Sequence, residues 1–431
     1  MISRHHVECQ TCGFPFVLRI GVAGGEQGFV LGCPICGVEL RGVLYAEAGG
    51  VTDTEARGPR LELRSEDFHE LPYSDDREAD AVAVTVYTDL PVPTSLQGIP
   101  AKEAFMSPFL LSTELCGQDE TLELRGRIEE LRTMRERFFP SLRRALSLFG
   151  AGDLERLPDA LRAVPASDVP ELQAYDPVYR LGRLAAMMYI PLGPIEPRSL
   201  AVAEVIDLGV ECERAYGDRY QSLLDELFAD RGLGEHRRRV VETATACLSA
   251  HDALLAPILW ECVDAPHRER INEFQVMRDD FAQVAARYQD VFELASRTLA
   301  YLGILLNLRH RGDPAKWADG EVRSPARILN QTAAARRAFI ADELPVARPF
   351  IEAINRRTRN EIGHRLVGFD FRAQAVVDDQ GNRVNYLLFL EDYLDAVRVT
   401  HYLLGVMEKL TLDRHRGRTP QREDVGLPIG R

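Results

Sequence analysis

Two short cysteine runs are the residues most clearly spaced for chemistry. Cys9-Gln-Thr-Cys12-Gly13 and Cys33-Pro-Ile-Cys36-Gly37 are two copies of one device. Two thiols three positions apart on a tight turn point at a common centre. The glycine after the second thiol lets the backbone wrap around sulfur without a Cβ clash. Four thiolates close a tetrahedron, so Cys9, Cys12, Cys33 and Cys36 are expected to hold one structural zinc ion with no open position. The twenty-residue spacer, 13–32, is ample for a pair of strands. Redox dithiols are the competing use of such pairs, but redox motifs rarely come as two copies each followed by a turn glycine. His5 and His6 lie close by and stay outside the expected shell, because four cysteines already satisfy zinc.

A second run, Arg359-Asn360-Glu361-Ile362-Gly363-His364, closes a segment that reads as helix from Pro345. Residues one turn apart share a helix face, which stacks Asn360 over His364 with Arg359 one position back. The trio suits RNA cleavage by the ribose 2′-hydroxyl. A near-neutral imidazole takes or gives the proton, a guanidinium fork neutralises charge growing on the phosphorane oxygens, and the amide orients ring or phosphate. The bland alternative is a solvated helix end with His364 facing the negative end of the helix dipole.

Arg359, Asn360 and His364 resemble the motif of the HEPN family, whose ribonuclease members carry Arg, a polar residue and then His four to six positions after the Arg. The resemblance spans roughly the last 170–190 residues, a span that holds a long helix pair, the motif helix and a closing helix. It implies a metal-independent endoribonuclease with His364 as acid/base, Arg359 as transition-state clamp and Asn360 as positioning group. It also implies a homodimer that places two motifs in one cleft, RNA as substrate, and a bacterial toxin or anti-phage defence setting with a protein antitoxin or defence partner. The rival reading is a non-catalytic HEPN-like dimerisation scaffold whose zinc ribbon binds a protein or nucleic-acid partner.

The elements that must position these groups follow from pattern. With 431 residues, 45% hydrophobic and 27% charged, the chain reads as a soluble globular protein of several domains. Phe14 to Ile20, Gly28 to Leu31, Val38 to Tyr45, Leu61 to Leu63 and Ala81 to Tyr87 read as strands. Leu90 to Pro100, with three prolines, reads as a linker. From Glu120 the apolar period becomes helical, with Pro140 as a break and long helices expected near 212–230, 235–262 and 267–308. Ser324-Pro325 is an N-cap and first-turn proline. A hairpin is expected between Leu366 and Phe389, followed by a final helix from Leu390 to Leu412. The fold class is therefore mainly α: a small zinc-ribbon and β-rich N-terminal domain, then a C-terminal HEPN-like helical bundle with an inserted β-hairpin. The expected boundaries are 1–48 for the ribbon, 49–110 for the β-rich extension and linker, 111–234 for a helical middle region and 235–431 for the HEPN-like domain.

Charge and leader signals narrow the setting. The net charge of −14 argues against a surface devoted wholly to nucleic acid, although Arg356, Arg357, Arg359, Arg365 and the tail from Arg414 are locally basic. No run of about eighteen apolar residues suggests a membrane span, and no signal-peptide core precedes Cys9. The expected location is cytoplasmic. There Cys116, Cys212, Cys247 and Cys262 read as small buried hydrophobes. Asp279-Asp280, expected on a helix, reads as a solvated acidic face, His251 as a packed histidine, and Trp260 and Trp317 as residues outside any stacking platform.

Overall fold

Alternating apolar residues such as Phe16, Leu18 and Ile20 put one strand face into a core, and that periodicity sets the first third of the chain. The computed structural model describes residues 2–21, 25–46, 61–73, 81–165, 175–193, 196–250, 252–317, 322–330, 368–378 and 380–416. β1 (Ile2–Cys9) pairs antiparallel with β2 (Pro15–Gly21), β3 (Gly25–Gly32) with β4 (Glu39–Ala46), and β4 with β5 (Leu61–Arg64). β6 (Phe68–Leu71) adds to the outer edge of β1, and β7 (Val82–Val86) runs parallel to β2. β8 (Val92–Pro93) pairs with a later strand, while β9 (Ile99–Pro100) pairs with β7. The result is one sheet in the order β6-β1-β2-β7-β9 and a second in the order β3-β4-β5. Val7, Phe16 and Leu18 from the first sheet share a core with Phe29, Leu31 and Leu44 from the second, and Cys9 and Cys33 belong to the same core.

Gly42 shows how tightly this core closes. It stands directly across the β3–β4 ladder from Phe29, and a Cβ there would lie 2.4 Å from Phe29 Cζ. Phe29 is fully buried against Phe68, with ring centroids 6.4 Å apart, so the ring has no room to swing away. Replacing a strand glycine with alanine ordinarily stabilises. Here Gly42→Ala is expected to lower stability by about 1–3 kcal/mol through overpacking, read as a lower denaturation midpoint. A midpoint that stays put or rises refutes the packing.

Several expectations change on contact with the structure. Leu90 to Pro100 is no open linker. It contributes β8 and β9, with a 3₁₀ turn at Thr94–Leu96 between them. The expected helix at 267–308 starts only at Phe281, because β10 (Phe274–Gln275) pairs with β8 and takes the preceding residues out of helical register. The single helix expected at 235–262 is two, Leu233–Ser249 and Asp252–Glu261. Pro140 sits in the first turn of the helix Phe139–Ala151, and the preceding break is a π turn at Met134–Phe138. The inserted hairpin is a three-stranded sheet of β11 (Gly368–Asp370), β12 (Ala375–Val377) and β13 (Arg383–Asn385). Tyr386 to Phe389, expected as strand, instead opens the last helix, Tyr386–Arg416.

The chain divides into two compact units made of interleaved segments. One takes residues 1–132, 250–289 and 355–395, the other 133–249, 290–354 and 396–431. Within the first, Phe281 stacks on Phe369 at 5.2 Å and meets Phe389 at 5.7 Å, tying the small C-terminal sheet to its unit. Gln374, in the turn between β11 and β12, donates to the Val30 carbonyl at 3.2 Å. The second unit is helical. Phe139–Ala151 packs on Leu233–Ser249, and Gly150 lets the two helices approach until its Cβ would lie 3.2 Å from Val241. One described helix, Phe281–Arg311, is long and apolar enough to cross a membrane, and 89% of its apolar window is buried inside the protein. Ser324 caps Pro325–Leu329 as expected, its hydroxyl accepting from the Arg327 amide at 3.4 Å.

Candidate metal centre

The two cysteine runs fold as two matching turns. Cys9 ends β1, its carbonyl accepts from the Gly13 amide at 2.8 Å, and its own amide donates to Phe14 at 3.1 Å. The second turn repeats this: Cys33 accepts from the Gly37 amide at 2.9 Å and donates to Val38 at 2.8 Å. Gly13 and Gly37 both adopt left-handed backbone, with φ of +70° and +66°, which is why glycine follows the second thiol in each run. One turn joins β1 to β2 and the other joins β3 to β4, so each sheet supplies half of the site.

All four sulfurs lie within 4.8 Å of one another. Two pairs cross between the turns, Cys9 to Cys36 at 3.9 Å and Cys12 to Cys33 at 3.7 Å. A tetrahedron of sulfurs around zinc at 2.3 Å has edges of about 3.8 Å, so the donor set fits a tetrahedral thiophilic ion such as zinc. These separations are far too long for a disulfide. Two of the sulfurs belong to buried cysteines, Cys9 and Cys33, and two to exposed ones, Cys12 and Cys36. Crowding also affects the protons. The Phe14 amide pulls the Cys12 thiol down, while desolvation and hydrogen bonds to Cys36, Cys33 and Cys9 push it up to about 12 overall. A cation would remove that mutual penalty. No other group of three or more His, Cys, Asp and Glu residues among the described residues converges in this way.

The neighbouring histidines have other work. His5 Nδ1 lies 2.7 Å from Glu70 Oε1, and the His6 ring sits edge-on to Tyr73 at 5.1 Å. Arg372, in the turn between β11 and β12, lies over the second cysteine turn. A Cβ on Gly37 would stand 2.5 Å from its Cζ.

Arg359, Asn360 and His364 lie outside the described residues, and so does His251. Three of the four remaining thiols sit as expected of packing residues, whereas Cys262 is only half-buried, with Arg127 Nη1 donating to its sulfur at 3.8 Å. Cys116, Cys212 and Cys247 are buried, and burial pushes Cys116 and Cys212 up to about 12. Trp260 is fully buried and tilted against Phe274 at 5.0 Å, while Trp317 is buried beneath Arg323. Arg309, in the last turn of Phe281–Arg311, pairs with Glu211 at 2.5 Å. The acidic pair is corrected. Asp279 and Asp280 precede the helix; Asp279 is exposed, as a solvated residue should be, and pairs with Arg41, whereas Asp280 is largely buried. It accepts from Arg278 at 2.7 and 2.9 Å and from the Tyr386 hydroxyl at 2.8 Å, and the Arg278 side chain is only 12% exposed.

Sequence reasoning missed a cavity of about 920 Å³ in the first unit, lined by Asp89, Phe109, Leu122, Arg125, Glu129 and Arg132 among others. Burial raises the Asp89 carboxyl above the usual range, with Arg132 and Arg278 pulling the other way. Phe109 and Leu122 remain 43% and 52% exposed, unusual for such side chains and visible only once the fold exposes one face of each helix. Comparison with known proteins finds no matching family model, no matching curated protein and no matching solved structure.

Proposed function

We propose that this chain is a cytoplasmic, metal-independent endoribonuclease of HEPN type with a structural zinc ribbon at its head. The reading is carried by one observation, the Arg359-Asn360-x-x-x-His364 spacing in the sequence. In this reading His364 takes the proton from a ribose 2′-hydroxyl as the 2′-oxygen attacks phosphorus, and a proton is returned to the departing 5′-oxygen. Arg359 neutralises the phosphorane oxygens, and Asn360 positions the phosphate. Two protomers bring two motifs to one cleft, in a toxin or anti-phage setting with a protein antitoxin or defence partner. Cys9, Cys12, Cys33 and Cys36 hold zinc. A shell of four thiolates is coordinatively closed, so the ion fixes the two turns and takes no part in cleavage.

The test is His364→Ala. Wild-type protein is expected to degrade a total RNA pool in the presence of chelator and to arrest growth on overexpression. The variant should lose at least 100-fold of the cleavage rate, the scale of a missing general acid–base group. Equal RNA integrity with the two proteins, together with equal growth, sinks the enzyme reading.

One observation favours the scaffold alternative, the cavity bordered by exposed Phe109 and Leu122. Exposed aromatic and aliphatic residues beside a cavity are the usual dress of a protein-binding face. Leu122→Asp would then abolish partner capture, and the wild-type protein would leave RNA as intact as His364→Ala does.

A further inference from the structure

A second feature, independent of the cleavage motif, lies in the helical unit. Arg237, early in the helix Leu233–Ser249, is only 7% exposed. Its guanidinium is flanked by the rings of Phe149 at 5.3 Å and Phe228 at 5.5 Å. Nη1 donates to the Thr411 hydroxyl at 3.3 Å, and buried Nε meets no acceptor. No carboxylate among the described residues forms an ion pair with it. Its charged neighbour is instead Arg414, and burial together with that like charge lowers Arg237 to about 10. Buried charges are ordinarily paired. A guanidinium held between two rings, beside another cation, is half of a binding site.

The other half is space. Arg237 opens onto a cavity of about 400 Å³ bordered by Gly152, Asp153, Glu155, Thr411, Arg414 and His415. Gly152 ends the helix Phe139–Ala151 with φ of +81°, and a Cβ there would lie 2.5 Å from Arg237 Nη2. Only a bare Cα lets the guanidinium lie this close to the helix end. Arg414 lies over the Phe228 ring at 4.7 Å and is held by Asp225 at 2.9 Å. His415 is exposed beside it. Of the two acids, Asp153 is engaged by Arg156 at 3.5 Å and Glu155 is exposed.

We propose that this cavity binds the phosphoryl group of a phosphate monoester, with the Arg237 fork as its floor and Arg414 and His415 at its mouth. A planar fork matches two phosphate oxygens at once. The volume falls in the range of small-ligand sites, so the phosphate arrives with an organic group attached. The monoester is supplied either by a mononucleotide or by the 5′ end of an RNA.

The test uses the full chain, with binding read by calorimetry and by thermal midpoint at matched ionic strength. The probes are inorganic phosphate, AMP, and a 2′-O-methylated hexaribonucleotide with or without a 5′-phosphate. Phosphate and AMP are expected to raise the midpoint with concentration. Arg237→Met and Arg414→Gln should each weaken AMP at least tenfold. Arg414 is half-buried at the rim, so Arg414→Gln keeps a native circular dichroism spectrum and decides the matter if Arg237→Met fails to fold. A 5′-phosphorylated oligonucleotide that outcompetes AMP identifies the RNA end as the source, and AMP outcompeting it identifies a mononucleotide. Midpoints unmoved by all phosphorylated probes, or AMP affinity unchanged in Arg414→Gln, overturns the proposal.

Discussion

Removing the metal from the four-cysteine site is expected to destabilise the β-rich core by several kcal/mol, and Cys33→Ser is expected to do the same. Cys9 and Cys33 are themselves core residues, packed with Val7, Phe16 and Leu31. The β1–β2 and β3–β4 turns belong to different sheets, so an ion held by the four thiolates would tie the two sheets together at that end. Structural zinc contributes on the order of 10 kcal/mol in small folded modules. The larger core here retains part of the fold, so a loss of several kcal/mol is expected rather than complete unfolding. Protein purified with zinc should carry one ion per chain. Chelator should lower the thermal midpoint by ten degrees or more, and Cys33→Ser should contain no metal. Cys116→Ser, altering a buried thiol outside the cluster, should keep the full complement. A wild-type protein with no bound zinc whose midpoint ignores chelator would refute the assignment.

The cysteine site was readable in advance because everything that defines it is local: thiol spacing, a following glycine and strand-like flanks. The elements that escaped reading are those whose stability is borrowed from elsewhere. β1 carries Arg4, His5, His6 and Glu8, a poor strand by composition, yet it is held between β2 and β6 in the middle of a sheet. β6 lies in the most acidic stretch of the chain and pairs at a sheet edge, where Glu70 can face His5. Asp280 looked like a solvated charge until Tyr386 arrived from a segment 106 residues away and Arg278 folded back onto it. The pocket around Arg237 is the extreme case. Its residues come from 152–155, 237 and 411–415, and no window of the sequence contains them together. Long-range convergence of this kind has no periodicity to betray it.

The same logic applies inside the helical unit, where Asp413→Ala is expected to cost about 3–5 kcal/mol, the range for stranding a buried charge. Asp413 is 1% exposed, forms an ion pair with Lys409 one turn away, and accepts from the Tyr220 hydroxyl at 2.7 Å. Burial and Asp413 raise Tyr220 strongly, so the phenol remains a donor throughout the ordinary pH range. Gly209 makes room for this cluster: a Cβ there would stand 2.7 Å from Asp413 Oδ2 and 2.9 Å from Lys409 Nζ. Asp413→Ala leaves both the Lys409 ammonium and the Tyr220 hydroxyl without their acceptor. The paired replacement Lys409→Met with Asp413→Leu removes both charges and should cost far less than the single change. Chemical denaturation of the two variants separates the accounts. If the double variant is as unstable as Asp413→Ala, the cost lies in packing volume, and the buried ion pair is no longer its explanation.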